Sequence, residues 1–119
     1  MDAFINDLES VYTNELIYRS IIVCQNGTKS HVKDLLETYD HTISIINDID
    51  TSIDYEKLDS RILLVSIDKF KSLIEYLDDK YGLQNVSYNL IAFTYDIDYD
   101  TWNNMKEWYI KKNGNGIII

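Results

Sequence analysis

The stretch IIVCQNGTKSHVKDLL, residues 21 to 36, holds the residues best placed for chemistry, because it joins a predicted strand to a predicted helix through a glycine-containing turn. Backbone amides at a helix N-terminus bind anions, so Gly27, Thr28 and Ser30 are candidate anion-binding residues. A plain capped turn is the alternative interpretation. A P-loop is excluded, because apolar strand residues stand where its first glycine belongs.

Cys24 is the second chemical group of this stretch. A thiol close to a helix N-terminus has a physical reason to ionise and act as a nucleophile, whereas a lone cysteine in a buried strand is ordinarily a small core residue. The segment VCQNGTKSHV resembles the phosphocysteine loop of sugar phosphotransferase enzyme IIB domains. The resemblance implies a phosphocarrier in which Cys24 accepts the phosphoryl group and the amides from Gln25 to Ser30 surround it.

An alternating acidic segment follows the last long apolar run. Asp96, Asp98, Asp100 and Glu107 fall at positions 1, 3, 5 and 12 of a calcium-loop template. Thr101 stands where that template needs glycine, so we interpret the segment as a solvated loop that caps a helix. The single cysteine and two histidines leave no zinc-ligand spacing. No metal and no cofactor are therefore predicted.

The charge balance points to protein partners. The chain carries 20 acidic and 11 basic residues, a net charge of −9. Such a surface repels phosphate backbones, so direct nucleic-acid binding is not expected. No apolar run is long enough to span a membrane, and the N-terminal residues do not resemble a signal peptide. We expect a cytoplasmic protein that binds a basic-faced protein partner or associates with itself.

Acidic residues beside large aromatic rings are the predicted contact surface, because aromatic residues dominate protein-binding hot spots. Trp102 and Trp108 lie six residues apart on one predicted helix, so only one of them can lie fully on its buried face. The predicted partner-binding residues come from two segments: Asp96, Asp98, Tyr99, Asp100 and Trp102, and Asp48, Asp50, Asp54 and Glu56.

The apolar pattern predicts the elements that position these groups. Helical periodicity over residues 3–18 precedes the strand SIIVCQ, and the strands TISIIN, RILLVSI and YNLIAFTY follow, separated by predicted helices except after TISIIN. GIII at the end predicts a short fifth strand. Residues 48–60 are predicted to be a poorly ordered loop with one helical turn over 55–58. Strands separated by single helices favour a parallel sheet. The prediction is one α/β domain over 1–119, a three-layer α/β/α sandwich with a mostly parallel sheet of four or five strands.

The order of these elements resembles the first RecA-like domain of superfamily 2 helicases and SNF2-type translocases, of the kind that large DNA viruses use as transcription factors. The segments SIIVCQNGTKSHVKDLL, TISIIND, RILLVSIDKFKSLI and YNLIAFTY carry the resemblance. The chain has no Walker A motif, and Thr94 and Tyr95 stand where the DExx acidic pair belongs. The resemblance therefore implies an ATPase-dead domain without enzymatic activity, whose remaining role is binding.

Overall fold

The sheet has five strands, all parallel, in the computed structural model, which describes all 119 residues. The strands are β1 (Arg19–Cys24), β2 (Ile43–Ile46), β3 (Ile62–Ser66), β4 (Tyr88–Phe93) and β5 (Ile117–Ile118). The helices are α1 (Asp2–Asn14), α2 (Lys29–Glu37), α3 (Ile67–Tyr81) and α4 (Tyr99–Lys111). The strand order is β2-β3-β1-β4-β5. The predicted α/β fold with a parallel sheet is confirmed.

Two helices cover each face of the sheet. The first core cluster packs α1 and α2 on one face and includes Phe4, Leu8, Val32, Leu36, Cys24 and Ala92. The second packs α3 and α4 on the other face and includes Val23, Val65, Phe70, Leu73, Phe93 and Tyr109. In the strand order, the connection after β1 leads toward the β2 end of the sheet, whereas the connections after β3 and β4 lead toward the β5 end. Right-handed crossovers in opposite directions require opposite faces, which produces the three layers.

Two helix boundaries differ from the sequence prediction. Helix α1 ends at Asn14 instead of residue 18, and Glu15 has extended backbone. Beyond it Leu16 is exposed, whereas Ile17 is buried, so the helical spacing that includes Leu16 does not mark a buried face. Helix α3 begins at Ile67, the last residue of the predicted strand RILLVSI, with Ser66 at its N-cap. Asp68 accepts a hydrogen bond from the Ser66 hydroxyl. Gly82, which follows α3, has a positive φ of 79°, a conformation that favours glycine.

The connection from β2 to β3 is held firmly against the domain. The predicted helical turn is present as a 3₁₀ helix over Tyr55–Lys57, and the Tyr55 side chain is fully buried. Asp54 accepts a 2.5 Å hydrogen bond from the Tyr81 hydroxyl, and Glu56 accepts from both the amide and the hydroxyl of Ser87. These contacts argue against the low order predicted for residues 48–60, because the side chains of Asp54 and Glu56 hydrogen-bond this segment to Tyr81 and Ser87.

Strand β5 depends on a glycine. Gly116 has a φ of 89°, and a Cβ at this position would lie 2.0 Å from the carbonyl oxygen of Asn89. Gly116→Ala is therefore expected to lower the free energy of unfolding by roughly 1–3 kcal/mol and to loosen β5. Urea unfolding measures the first effect, and loss of amide exchange protection at Ile119, whose N–H donates to Ile91 in β4, measures the second. Gly27→Ala is the control, because nothing lies within 4 Å of a Cβ there; equal losses in the two variants would contradict the prediction.

Candidate functional site

The end of the sheet where the parallel strands finish, the carboxyl edge, carries most of the predicted chemical residues. Strands β1, β3 and β4 end at Cys24, Ser66 and Phe93. Parallel α/β sheets bind ligands outside this edge, where connections from neighbouring strands leave toward opposite faces. β1 and β3 are such neighbours, since their connections lead to helices on opposite faces.

Cys24 is a core residue in this structure. Its side chain is fully buried, and the thiol donates a long hydrogen bond, 3.8 Å, to the Val65 carbonyl. Burial raises the pKa of the Cys24 thiol to about 11; nearby Asp96 adds to the rise and Lys29 opposes it. A buried, protonated thiol is a poor nucleophile. The geometry therefore gives no support to phosphoryl transfer through this residue.

Thr28 and Lys29, in the turn after β1, form hydrogen bonds with other residues of the chain. The Thr28 hydroxyl donates to the Gln25 carbonyl at 3.1 Å and lies 3.4 Å from a carboxylate oxygen of Asp96. Lys29 donates to the side chain of Asn47 at 3.0 Å. Gly27 and Ser30, the other candidate anion-binding residues, are exposed. A carboxylate beside the turn opposes the binding of an anion, since it adds negative charge where the ligand would lie.

The largest cavity lies beside this turn and opens to solvent. It has a volume of about 530 Å³, and we call it the aromatic hollow. Its lining residues come from the end of β4, the loop that follows, the first turns of α4 and the last residue of the chain: Phe93, Thr94, Tyr95, Ile97, Tyr99, Trp102 and Ile119. Tyr95 and Tyr99 are 51% and 70% exposed as whole residues. Large amphipathic rings are thus presented to solvent around an apolar floor.

Long-range contacts fix the walls of the aromatic hollow. The Tyr95 ring packs edge-to-face on Phe4 of α1 with the ring centroids 5.4 Å apart, and its hydroxyl donates to Asp7. This hydrogen bond to a carboxylate, together with burial, raises the pKa of Tyr95 to about 12. The Trp102 indole N–H donates to the Ile119 carbonyl at 3.3 Å. The rings of Tyr99 and Trp102 are in contact, 5.7 Å between centroids.

Carboxylates alternate with the lining residues of this loop. Asp96, Asp98 and Asp100 are all exposed, and they come between or directly after Tyr95, Ile97 and Tyr99 in the chain. Asp96 accepts a 2.6 Å hydrogen bond from the Thr94 hydroxyl. Asp98 is the N-cap residue of α4, but its side chain makes no capping hydrogen bond. Neither Asp98 nor Asp100 forms an ion pair, so their charges stay uncompensated beside the hollow.

The first predicted contact group is therefore brought together, but the second is not. Asp48 lies after β2 and forms a 3.5 Å ion pair with Lys69, and Asp50 accepts two hydrogen bonds from Ser52. Asp54 and Glu56 bind partners at the opposite end of the sheet, the amino edge, where the strands begin. The two predicted acidic segments do not form one surface, because the connection from β2 to β3 runs from one edge of the sheet to the other.

The sequence prediction missed five of the seven lining residues: Phe93, Thr94, Tyr95, Ile97 and Ile119. The sequence placed Tyr95 only at a position of the DExx pair and Ile119 only in the fifth strand, and it gave no role to Asp7, which accepts the hydrogen bond of Tyr95. Nothing in the local pattern marks them, because their partners are distant in the chain. Of the two tryptophans, Trp102 lines the hollow, whereas Trp108 packs on Phe70 with 6.1 Å between ring centroids. Both are partly buried, so neither lies fully inside the core.

No three histidine, cysteine or acidic side chains converge in an arrangement that would hold a metal ion. Glu107, the last position of the calcium template, lies on α4 and is 3.5 Å from the side-chain amide of Asn103. No helix combines the length and apolar character needed to cross a membrane. Neither the family models nor the curated proteins that were searched contain a match to this sequence.

Proposed function

We propose that this chain is a non-enzymatic interaction domain, an adaptor or inhibitor that binds a basic-faced protein partner at the carboxyl edge of its sheet. The observation that carries the proposal is the aromatic hollow with its uncompensated carboxylates, Asp98 and Asp100. Exposed aromatic rings supply contact area that loses little conformational entropy on binding, and charged neighbours select the partner.

The overall charge supports a basic partner over self-association. Only four of the 20 acidic residues form ion pairs with lysine or arginine: Glu37, Asp48, Asp54 and Glu56. The remaining negative charge would repel a second copy of the chain, and it would speed the approach of a basic surface. Repulsion of phosphates makes direct nucleic-acid binding the less favourable alternative.

An origin as an ATPase-dead, helicase-like domain is part of the same proposal. The chain lacks the Walker A and DExx residues that hold ATP and its metal ion, so a domain of this ancestry would retain only its binding surfaces. The phosphocarrier alternative is less well supported, since Cys24 is fully buried and its pKa is raised.

The test is affinity purification from the source cell at increasing salt with the triple variant Asp96→Asn/Asp98→Asn/Asp100→Asn. The variant removes three negative charges at the carboxyl edge. We expect it to recover the partner at least about tenfold less efficiently at low salt and to show a weaker dependence on salt, because exposed charges act through screened, long-range attraction.

The matched control removes three charges from the amino edge. Glu15, Asp59 and Asp79 are exposed and form no ion pairs, so Glu15→Gln/Asp59→Asn/Asp79→Asn changes the net charge equally. We expect the control to keep most of its binding. Equal recovery by the wild type and the carboxyl-edge variant would refute the proposal. Equal loss in both variants would show that total charge, not the hollow, determines binding.

A further inference from the structure

The aromatic hollow combines three features that suit one type of ligand group. Its floor is apolar, formed by Phe93 and Ile97, which are almost fully buried. Its lining also includes three aromatic side chains, Tyr95, Tyr99 and Trp102. Aromatic faces attract cations. The exposed carboxylates of Asp98 and Asp100, next to lining residues in the chain and without an ion-pair partner, add negative charge to this region. A group with an apolar stem and a cationic end would satisfy all three.

The chain itself shows that one of these rings attracts a cation. The Lys106 ammonium lies 4.7 Å from the centroid of the Trp102 ring. Lys106 is one helical turn beyond Trp102 on α4, so it reaches the ring from the helix surface. It forms no ion pair with an acidic residue. A ligand cation would therefore share the ring with Lys106 or displace it.

From these features we infer that the aromatic hollow binds an arginine side chain of the partner. This inference rests on the proposed function and names the group that the partner inserts. Arginine fits better than lysine, because its guanidinium is planar, weakly hydrated, stacks on aromatic rings and pairs with carboxylates through two hydrogen bonds. A lysine ammonium is strongly hydrated and loses more on entering an apolar cavity. The open shape of the hollow leaves room for the stem and for the ring-stacked end.

The experiment is a titration followed by NMR with three capped pentapeptides, Gly-Gly-X-Gly-Gly, in which X is arginine, lysine or citrulline. Citrulline has nearly the shape of arginine without its charge. The indole N–H signals of Trp102 and Trp108 report separately on the hollow and on a ring outside it. We expect the arginine peptide to shift the Trp102 signal and to bind about tenfold more tightly than the citrulline peptide, with lysine weaker than arginine.

Variants test the named residues. Asp98→Asn/Asp100→Asn is expected to weaken arginine binding severalfold, and the control Glu15→Gln/Asp79→Asn is expected to change it little. Lys106→Gln is expected to strengthen binding two- to threefold, because it removes a competing cation from the Trp102 ring. Trp102→Leu is expected to abolish the shifts that the arginine peptide causes in the neighbouring backbone amides. If this variant does not fold, the comparison of the three peptides on the wild-type protein still tests the inference.

Four outcomes would overturn the inference. Equal binding of arginine and citrulline would exclude recognition of charge, and equal binding of arginine and lysine would exclude a preference for the guanidinium. Shifts at Trp108 alone would place the ligand elsewhere. Concentration-dependent shifts without peptide would assign the hollow to a second copy of the chain. If the arginine peptide fails to bind but the wild-type chain captures a basic partner that the carboxyl-edge variant loses, only this inference is wrong. If the carboxyl-edge variant captures the partner as well as the wild type does, the proposed function is wrong too.

Discussion

Replacing Arg19 by alanine is expected to lower the free energy of unfolding by about 3–5 kcal/mol, the range for removing one partner of a largely buried ion pair. The Arg19 side chain is 14% exposed and lies 3.6 Å from the Glu56 carboxylate. Its guanidinium donates to the carbonyls of Glu56, Leu58 and Ser60 at 3.1, 2.5 and 3.1 Å. The variant leaves a carboxylate and three carbonyls without this partner. Chemical denaturation at neutral pH measures the loss.

Two variants separate the geometry of this contact from its charge. Arg19→Lys keeps the positive charge but cannot reach several acceptors at once, so we expect an intermediate loss. Arg61→Ala removes an arginine that lies 4.1 Å above the Tyr12 ring and forms no ion pair, and we expect a loss of about 1 kcal/mol. If Arg19→Ala destabilises the protein no more than Arg61→Ala, the contacts of Arg19 with Glu56 and the three carbonyls do not contribute the stability expected of them.

The second large effect is a loss of stability at alkaline pH. Burial raises the pKa of Cys24 from 9.0 to about 11 and that of Tyr109 from 10.0 to about 12, and it also raises the pKa of Tyr88. Because the folded state holds these protons more tightly, their contribution is complete below pH 9 and is lost as pH rises through the folded pKa values. A two-unit shift corresponds to about 2.7 kcal/mol for each group. We expect Cys24 and Tyr109 together to account for about 5 kcal/mol lost between pH 9 and 12.

Urea unfolding at a series of pH values measures this loss, and Cys24→Ala isolates one group. The variant has no thiol to ionise, so its stability should begin to fall about one pH unit later than that of the wild type. The free energy of unfolding of the wild type should fall by about 2–3 kcal/mol relative to that of Cys24→Ala between pH 8 and pH 12. A difference that stays constant over this range would contradict the assignment. Tyr109→Phe provides a second comparison, although it also removes the 2.8 Å hydrogen bond from Tyr109 to the Asn115 carbonyl.

Local patterns were sufficient for the secondary structure and for the layers. Apolar residues at helical spacing in α2 and α3, and continuous apolar runs in β1 and β3, predicted buried helices and buried strands that the structure contains. These patterns work because each element must bury its own apolar side. The same pattern failed after Asn14, where Leu16 continues the helical spacing but is exposed.

The site was predicted only in part, for a related reason. The loop from Asp96 to Asp100 and the helix start at Tyr99 are contiguous, so the sequence placed aromatic and acidic residues together. It did not show that Tyr95 reaches Asp7 or that Trp102 reaches Ile119, since these pairs are separated by 88 and 17 residues. It also did not show that the carboxylate of Glu56, a predicted partner-binding residue, pairs with Arg19, 37 positions earlier in the chain.

The sequence by itself determined the element types, the three layers, the net charge of −9 and the failure of the Walker A and DExx motifs. Composition and short-range periodicity are properties of neighbouring residues, so they can be read without a fold. Only the tertiary structure decided the strand order, the burial of Cys24 and which carboxylates stay uncompensated. Each of these depends on which distant residues are brought into contact, and a carboxylate gains or loses a partner only when the chain folds.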